Sequence, residues 1–213
     1  MRIIYLVIML LLNSIAHGLW DVEYWQGFEW TQCEKKPIRL YGTVLLRLDD
    51  HVTRFYFYRV TENFCYEANK NIDFELHYSF IYSRPELGRH FAIRHRMEFE
   101  FNPHLFGHYY SIYWRNRLEL IKRQHVWPLE KIFRHRIRIV RPIKNSIITS
   151  FEHSDEIHYN FDEGRFTQNR FIPLGVNIKI NKRIDSEVYV MIRNYRSGDD
   201  WATSLVVGTA VRF

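Results

Sequence analysis

Hydrophobic and polar residues alternate along nearly the whole chain. In one run, Phe74, Leu76 and Tyr78 alternate with Glu75 and His77, and comparable runs follow one another to the last residue. Such alternation predicts β-strands that each have one apolar and one polar face, and short turn signals separate about eleven of them. We find no convincing amphipathic helix. The pattern therefore predicts an all-β protein.

The length of these runs indicates strands that cross a membrane. Runs of around ten residues match a tilted strand that crosses a membrane, and they exceed the five or six residues usual in soluble sheets. Since single-chain bacterial outer-membrane barrels have even strand numbers, we expect that one strand is missed or falsely identified. We predict a single antiparallel up-and-down transmembrane β-barrel of roughly 10–12 strands, with 12 favoured.

The start of the chain has a different pattern. A basic residue precedes the apolar stretch Ile3–Leu12, and small residues follow at Ala16 and Gly18. This arrangement is typical of a cleaved secretion signal, and the stretch is too short to span a membrane comfortably as an anchor. We expect residues 1–18 to be a signal peptide and residues 19–213 to form the barrel.

Alternation alone does not tell which face points inwards. A soluble barrel hides its apolar face, whereas a membrane barrel presents that face to lipid. Aromatic residues make up 17% of the chain, and aromatic residues girdle membrane barrels at the lipid boundary. The last strand ends on Phe213, an ending that resembles the signal read by the outer-membrane assembly machinery of Gram-negative bacteria. We therefore expect a monomer in the bacterial outer membrane, with lipid and that machinery as its partners.

The polar face carries a ladder of charges. The formal net charge is +6. The secretion signal and the absence of a known motif argue against nucleic acid as the partner. The predicted ladder consists of Arg94, Arg96, Glu98, Glu100, Arg115, Arg117, Glu119, Arg134, Arg136 and Arg138. Such a ladder could line a narrow, anion-preferring pore, or it could form a salt-bridged plug that fills the barrel.

Evidence for catalysis is weak. His77 and Ser79 are two residues apart on one strand face, beside Glu75, so the imidazole could activate the hydroxyl. However, Phe80 stands where outer-membrane hydrolases with this spacing tend to have a small or amide residue. We assign no catalytic residue and expect no enzymatic activity.

No metal or cofactor is expected from sequence spacing. His104 and His108 are four residues apart, but they flank an apparent turn and have no accompanying Glu in a metal-binding motif. The two cysteines, Cys33 and Cys65, could form a disulfide in an oxidising compartment, or they could remain free thiols.

Several longer motifs resemble one family of small bacterial proteins. These motifs are RNRLEL, RHRMEFEF, RHRIRIVRPI, FEHSDEIHYNF and NRFIPLGVNIKI. From about Trp20 to Phe213 the chain resembles domain of unknown function family 2490, which implies an outer-membrane barrel and no agreed activity. Pro173 departs from the family pattern, because proline inside a strand marks a bulge or an end.

We therefore expect a small integral outer-membrane barrel of structural or narrow-pore type. One alternative is an outer-membrane hydrolase that modifies lipid. Another is a secreted soluble barrel that binds a small apolar ligand.

Overall fold

A computed structural model describes residues 19–84, 91–124, 128–143 and 147–213. The predicted signal peptide, residues 1–18, lies outside the described residues. The described chain forms eleven strands and no helix: β1 (Leu19–Lys35), β2 (Ile38–Asp49), β3 (Arg54–Asn69), β4 (Ile72–Ser83), β5 (Ala92–Phe106), β6 (Ser111–Arg123), β7 (Glu130–Pro142), β8 (Ile148–Asn160), β9 (Arg165–Lys179), β10 (Asp185–Ser197) and β11 (Asp200–Arg212). Among these residues no helix is long and apolar enough to cross a membrane.

The strands form one closed barrel in which sequence neighbours pair. All consecutive strands are antiparallel, and β1 closes the barrel by pairing with β11 in parallel, from Val22 opposite Leu205 to Glu29 opposite Arg212. The backbone N–H of Phe213 extends this ladder by donating to the carbonyl of Glu29 at 3.0 Å. The all-β barrel is confirmed.

The preference for 12 strands was wrong, because the barrel has eleven. In an up-and-down barrel with an odd number of strands, the first and last strands run in the same direction. Closure is then parallel, and parallel pairing still satisfies the backbone hydrogen bonds.

The two ends of the barrel are distinguished by the strand connections that they carry. The Leu19 end is where β1 begins, and it carries the β2–β3, β4–β5, β6–β7, β8–β9 and β10–β11 connections. The Phe213 end is where β11 finishes, and it carries the other connections.

In the β2–β3 turn, Asp50, His51 and Val52 have positive φ angles of 52°, 56° and 68°. The Asp21 carboxylate accepts the backbone N–H groups of Asp50 and His51 at 3.0 and 2.9 Å, which holds this turn against β1.

The polar faces of the strands point inwards and the apolar faces point outwards. On β5, Glu98 and Glu100 are 1% and 6% exposed, whereas Phe99 and Phe101 are 47% and 41% exposed. A small apolar cluster of Trp25, Met191 and Val206 also lies inside the barrel. A soluble barrel around an apolar ligand would need the opposite orientation, with the aromatic face inside.

Pro173 lies in β9 at an irregularity of the sheet. The register shifts on both sides of it, between Glu152 and Ser154 on β8 and between Val190 and Ile192 on β10. Proline has no N–H to donate to a ladder, so the bulge removes the need for that hydrogen bond. Of the two alternatives left open for Pro173, a bulge or a strand end, the structure shows a register irregularity inside β9.

Candidate functional site

The predicted charge ladder lies on the inner faces of β5, β6 and β7. Strand register brings its members side by side: Glu100 is opposite Arg117, and Arg117 is opposite Arg134. Like charges also meet, because Glu98 is opposite Glu119. The interior is therefore rich in Arg and Glu, as the sequence analysis predicted. Which individual charges pair with each other could not be predicted from the sequence.

Arg117 is at the centre of the network. Its Nη1 lies 2.6 Å from Glu98 Oε2 and 3.5 Å from Glu119 Oε1, and its guanidinium also contacts Glu100 Oε1. Arg117 is 6% exposed, and the three carboxylates are 6% exposed or less. A buried guanidinium with three carboxylate partners is well compensated, because buried charges need paired and hydrogen-bonded neighbours.

The network continues along the inner wall of the barrel to β8. Arg134 donates to Glu119 Oε1 at 2.5 Å and to Glu156 Oε1 at 2.6 Å, so it joins β6 to β8. Arg96 contacts Glu98 at 2.5 Å and Glu119 at 3.2 Å. Sequence analysis did not single out Glu156, although its position on the polar face of its run placed it inside the barrel.

A second group of polar side chains fills the lumen beside β1 and β10. Glu23 is 2% exposed, and its carboxylate accepts from Arg193 at 2.6 Å, from Ser204 at 2.6 Å and from the indole N–H of Trp25 at 2.8 Å. The guanidinium of Arg47 stacks on the Trp25 ring at 3.7 Å. Sequence analysis missed this group, since its members lie on strands that are far apart along the chain.

Cavities remain at both ends of the barrel. The cavity at the Phe213 end has a volume of about 750 Å³, and the cavity at the Leu19 end has about 440 Å³. They share no lining residue. Arginines line both: Arg39, Arg115, Arg117, Arg136, Arg138 and Arg212 in the first, and Arg47, Arg54, Arg84, Arg94, Arg123, Arg193 and Arg196 in the second. These two end cavities are basic vestibules. A third cavity of about 200 Å³ lies deeper in the lumen, is lined by Arg134, Glu156 and Met191 among others, and shares four arginines with the Phe213-end vestibule: Arg115, Arg136, Arg138 and Arg212.

The weak catalytic candidate lies inside the lumen. Ser79 is 0% exposed, and its hydroxyl is 2.9 Å from the hydroxyl of Thr61. Nε2 of His77 lies 2.8 Å from Glu75 Oε2. A fully buried hydroxyl that faces the lumen is not accessible to a lipid at the outer face of the barrel.

The two cysteines are free in the structure, with Cys33 exposed and Cys65 buried. They lie on β1 and β3, on either side of β2, where Cys33 is opposite Leu40 and Cys65 is opposite Arg39.

Fold and lumen together define a class: a closed eleven-stranded β-barrel with an apolar outer face and a charge-filled interior. The chain belongs to the family described as "Protein of unknown function (DUF2490)", whose model matches residues 22–203. The chain matches no curated protein and no solved structure.

Proposed function

We propose that this protein is an integral outer-membrane β-barrel of structural type, with a lumen closed by its own paired charges. The observation that carries the proposal is the orientation of the strands, with large apolar side chains outside and charges inside. The outward residues Phe64, Phe99, Leu118 and Val207 are each more than one third exposed and come from four different strands. Water is a poor environment for such a continuous apolar belt, whereas lipid is a good one.

Aromatic side chains lie at both rims of this belt. At the Leu19 end, the rings of Tyr82 and Phe91 stack with their centroids 4.4 Å apart. At the Phe213 end, Phe74 and Phe101 pack at 5.5 Å. Aromatic girdles at two interfaces are characteristic of transmembrane barrels. The strands also have 12 to 17 residues, more than the roughly 9–11 that a membrane strand requires.

Two pairs of polar side chains on the outer face are hydrogen-bonded to each other. Nδ1 of His135 lies 2.8 Å from Asn116 Oδ1, and Asn169 donates to Asp155 Oδ1 at 2.7 Å. Such pairing is what a polar group in an apolar environment requires.

The runner-up function is a narrow anion-preferring pore. It is favoured by the excess of arginine in both vestibules, because rings of one charge select ions of the other. The buried charges Glu98, Glu119 and Arg134 favour the closed barrel instead, since they are at most 5% exposed and line neither of the two end cavities.

A single substitution tests the membrane location. Leu118 points outwards near the middle of β6, so Leu118→Arg would place a charge in lipid and should cost roughly 2–4 kcal/mol of folding free energy. Ile147→Arg is the matched control, because Ile147 is 73% exposed at the Phe213 end, beyond β7. The measurements are membrane fractionation and urea unfolding in lipid vesicles. Recovery of the parent protein in the soluble fraction without detergent, or equal stability of both variants, would contradict the proposal.

Planar bilayers distinguish the closed barrel from the pore. We expect the purified protein to give no discrete conductance steps. Steps with anion selectivity, reduced by replacing Arg138 in the Phe213-end vestibule, would support the runner-up and refute the closed lumen.

A further inference from the structure

One wall of the Phe213-end cavity carries metal-ligating side chains. Glu75 and His77 come from β4, and Glu100 comes from β5, directly opposite Glu75. One ligand atom of each lies within 4.8 Å of the others. All three side chains line the cavity of about 750 Å³.

The separations suit a divalent metal ion. Nε2 of His77 is 2.8 Å from Glu75 Oε2 and 3.9 Å from Glu100 Oε1. Tetrahedral zinc ligands at 2.0–2.2 Å from the metal lie roughly 3.4 Å from one another, a value between these two distances. Small side-chain adjustments would bring all three atoms into ligand positions. The guanidinium of Arg117 also contacts Glu100 Oε1, so the ion would share this oxygen with Arg117.

The imidazole of His77 faces the carboxylates of the cluster. His77 is 5% exposed, and its Nε2 lies 2.8 Å from Glu75 Oε2 without the geometry of a hydrogen bond. A metal ion bonded to both groups would replace this poorly aligned contact.

The surrounding groups are arranged as a supporting shell. Nδ1 of His77 faces Glu98 Oε2 at 3.6 Å, which is beyond hydrogen-bond distance. The hydroxyl of Tyr41 donates to Glu75 Oε2 at 2.6 Å, and Asn102 donates to Glu100 Oε2 at 3.2 Å. The two carboxylate ligands are therefore each oriented by a second residue.

We infer that Glu75, His77 and Glu100 form a binding site for a divalent transition metal of the zinc type. Imidazole and carboxylate donors are common zinc ligands, and the cavity leaves room for a water molecule or a small ligand in the fourth position. Cys65 and Asp73 approach Glu75 closely enough to add a donor, because one ligand atom of each lies within 4.8 Å of it. The inference does not depend on the membrane location, since the site is inside the barrel.

The test is zinc binding to the purified full-length mature protein in detergent, without a polyhistidine tag and after treatment with a chelator. Calorimetry should show one tight Zn²⁺ site per chain. His77→Gln should weaken binding by roughly 100-fold or more, and Tyr41→Phe, which removes only a supporting hydrogen bond, by roughly 10-fold. Co²⁺ should give the intense visible absorption of a four-coordinate site, and His77→Gln should abolish it.

A second buried histidine provides the matched control. His158 Nε2 lies 2.8 Å from Glu156 Oε1, and His158 is 5% exposed like His77. No metal-ligating group of three includes His158 among the described residues. His158→Gln should therefore bind Zn²⁺ as the parent does. The inference is overturned if the parent shows no stoichiometric site, or if His77→Gln and His158→Gln bind Zn²⁺ equally.

Discussion

Replacing Arg117 by leucine tests whether the charges in the lumen stabilise the barrel as a connected network. Arg117→Leu removes a cation shared by three buried carboxylates. Glu98 would keep Arg96 at 2.5 Å, and Glu119 would keep Arg134 at 2.5 Å. Glu100 would lose its guanidinium and keep Asn102 and the more distant His77. The damage should therefore be concentrated at Glu100.

The expected magnitude follows from the burial. Removing one partner of a buried ion pair costs about 3–5 kcal/mol, because the other charge is left uncompensated. Replacing both partners by apolar residues is far less costly. We therefore expect Arg117→Leu to lower the free energy of unfolding by about 3–5 kcal/mol, and the double variant with Glu100→Leu to recover much of that loss.

The assay is urea unfolding in lipid vesicles, followed by the gel shift between folded and unfolded protein. Arg165→Leu is the control, since Arg165 pairs with Glu163 at 2.7 Å on the surface, where side chains are 37% and 42% exposed. An exposed pair contributes only about 0–1 kcal/mol. If Arg117→Leu unfolds at the same urea concentration as the parent, the network does not stabilise the barrel and the reasoning is refuted.

Three further outcomes are expected from local geometry. Gly208→Ala should cost about 1–3 kcal/mol by unfolding assay, because its Cβ would lie 2.0 Å from the Tyr189 ring; an unchanged midpoint would contradict this packing. Val52→Gly should stabilise the protein by about 1 kcal/mol in the same assay, since a β-branched residue with a φ of 68° is strained. A maleimide should label the exposed Cys33 in the folded protein and the buried Cys65 only after unfolding; no labelling without a reductant would instead indicate a disulfide.

Much of the fold was predictable because side-chain alternation is a local signal. Each residue's face follows from its position in a strand, so Glu98 and Glu100 could be placed opposite Phe99 and Phe101 without knowing any partner. Strand existence followed from the same signal. The inward direction of the charges needed further features of the sequence, namely the many aromatic residues and the ending on Phe213. Even the irregularity at Pro173 was visible, because the missing N–H is a property of that residue alone.

The candidate sites were less predictable because they depend on register. Glu75 and Glu100 are 25 positions apart in the chain and become direct neighbours only through the β4–β5 pairing. A shift of one residue would send Glu100 to the outer face and abolish the cluster with His77. Fixed metal-binding spacings in the sequence therefore do not reveal these residues. His104 and His108 are close in sequence, but they flank an apparent turn.

The strand number was predicted wrongly because a general rule was preferred to the number of runs visible in the sequence. About eleven runs were visible in the alternation, yet the even number usual for bacterial barrels favoured 12. Nothing in the alternation of β1 or β11 distinguishes parallel from antiparallel closure, because both arrangements point the same side chains inwards. Only the strand count distinguishes parallel from antiparallel closure. An odd count places Leu19 and Phe213 at opposite ends of the barrel. In the proposed membrane setting, these two residues would therefore lie on opposite sides of the bilayer, a consequence that an even-stranded barrel avoids.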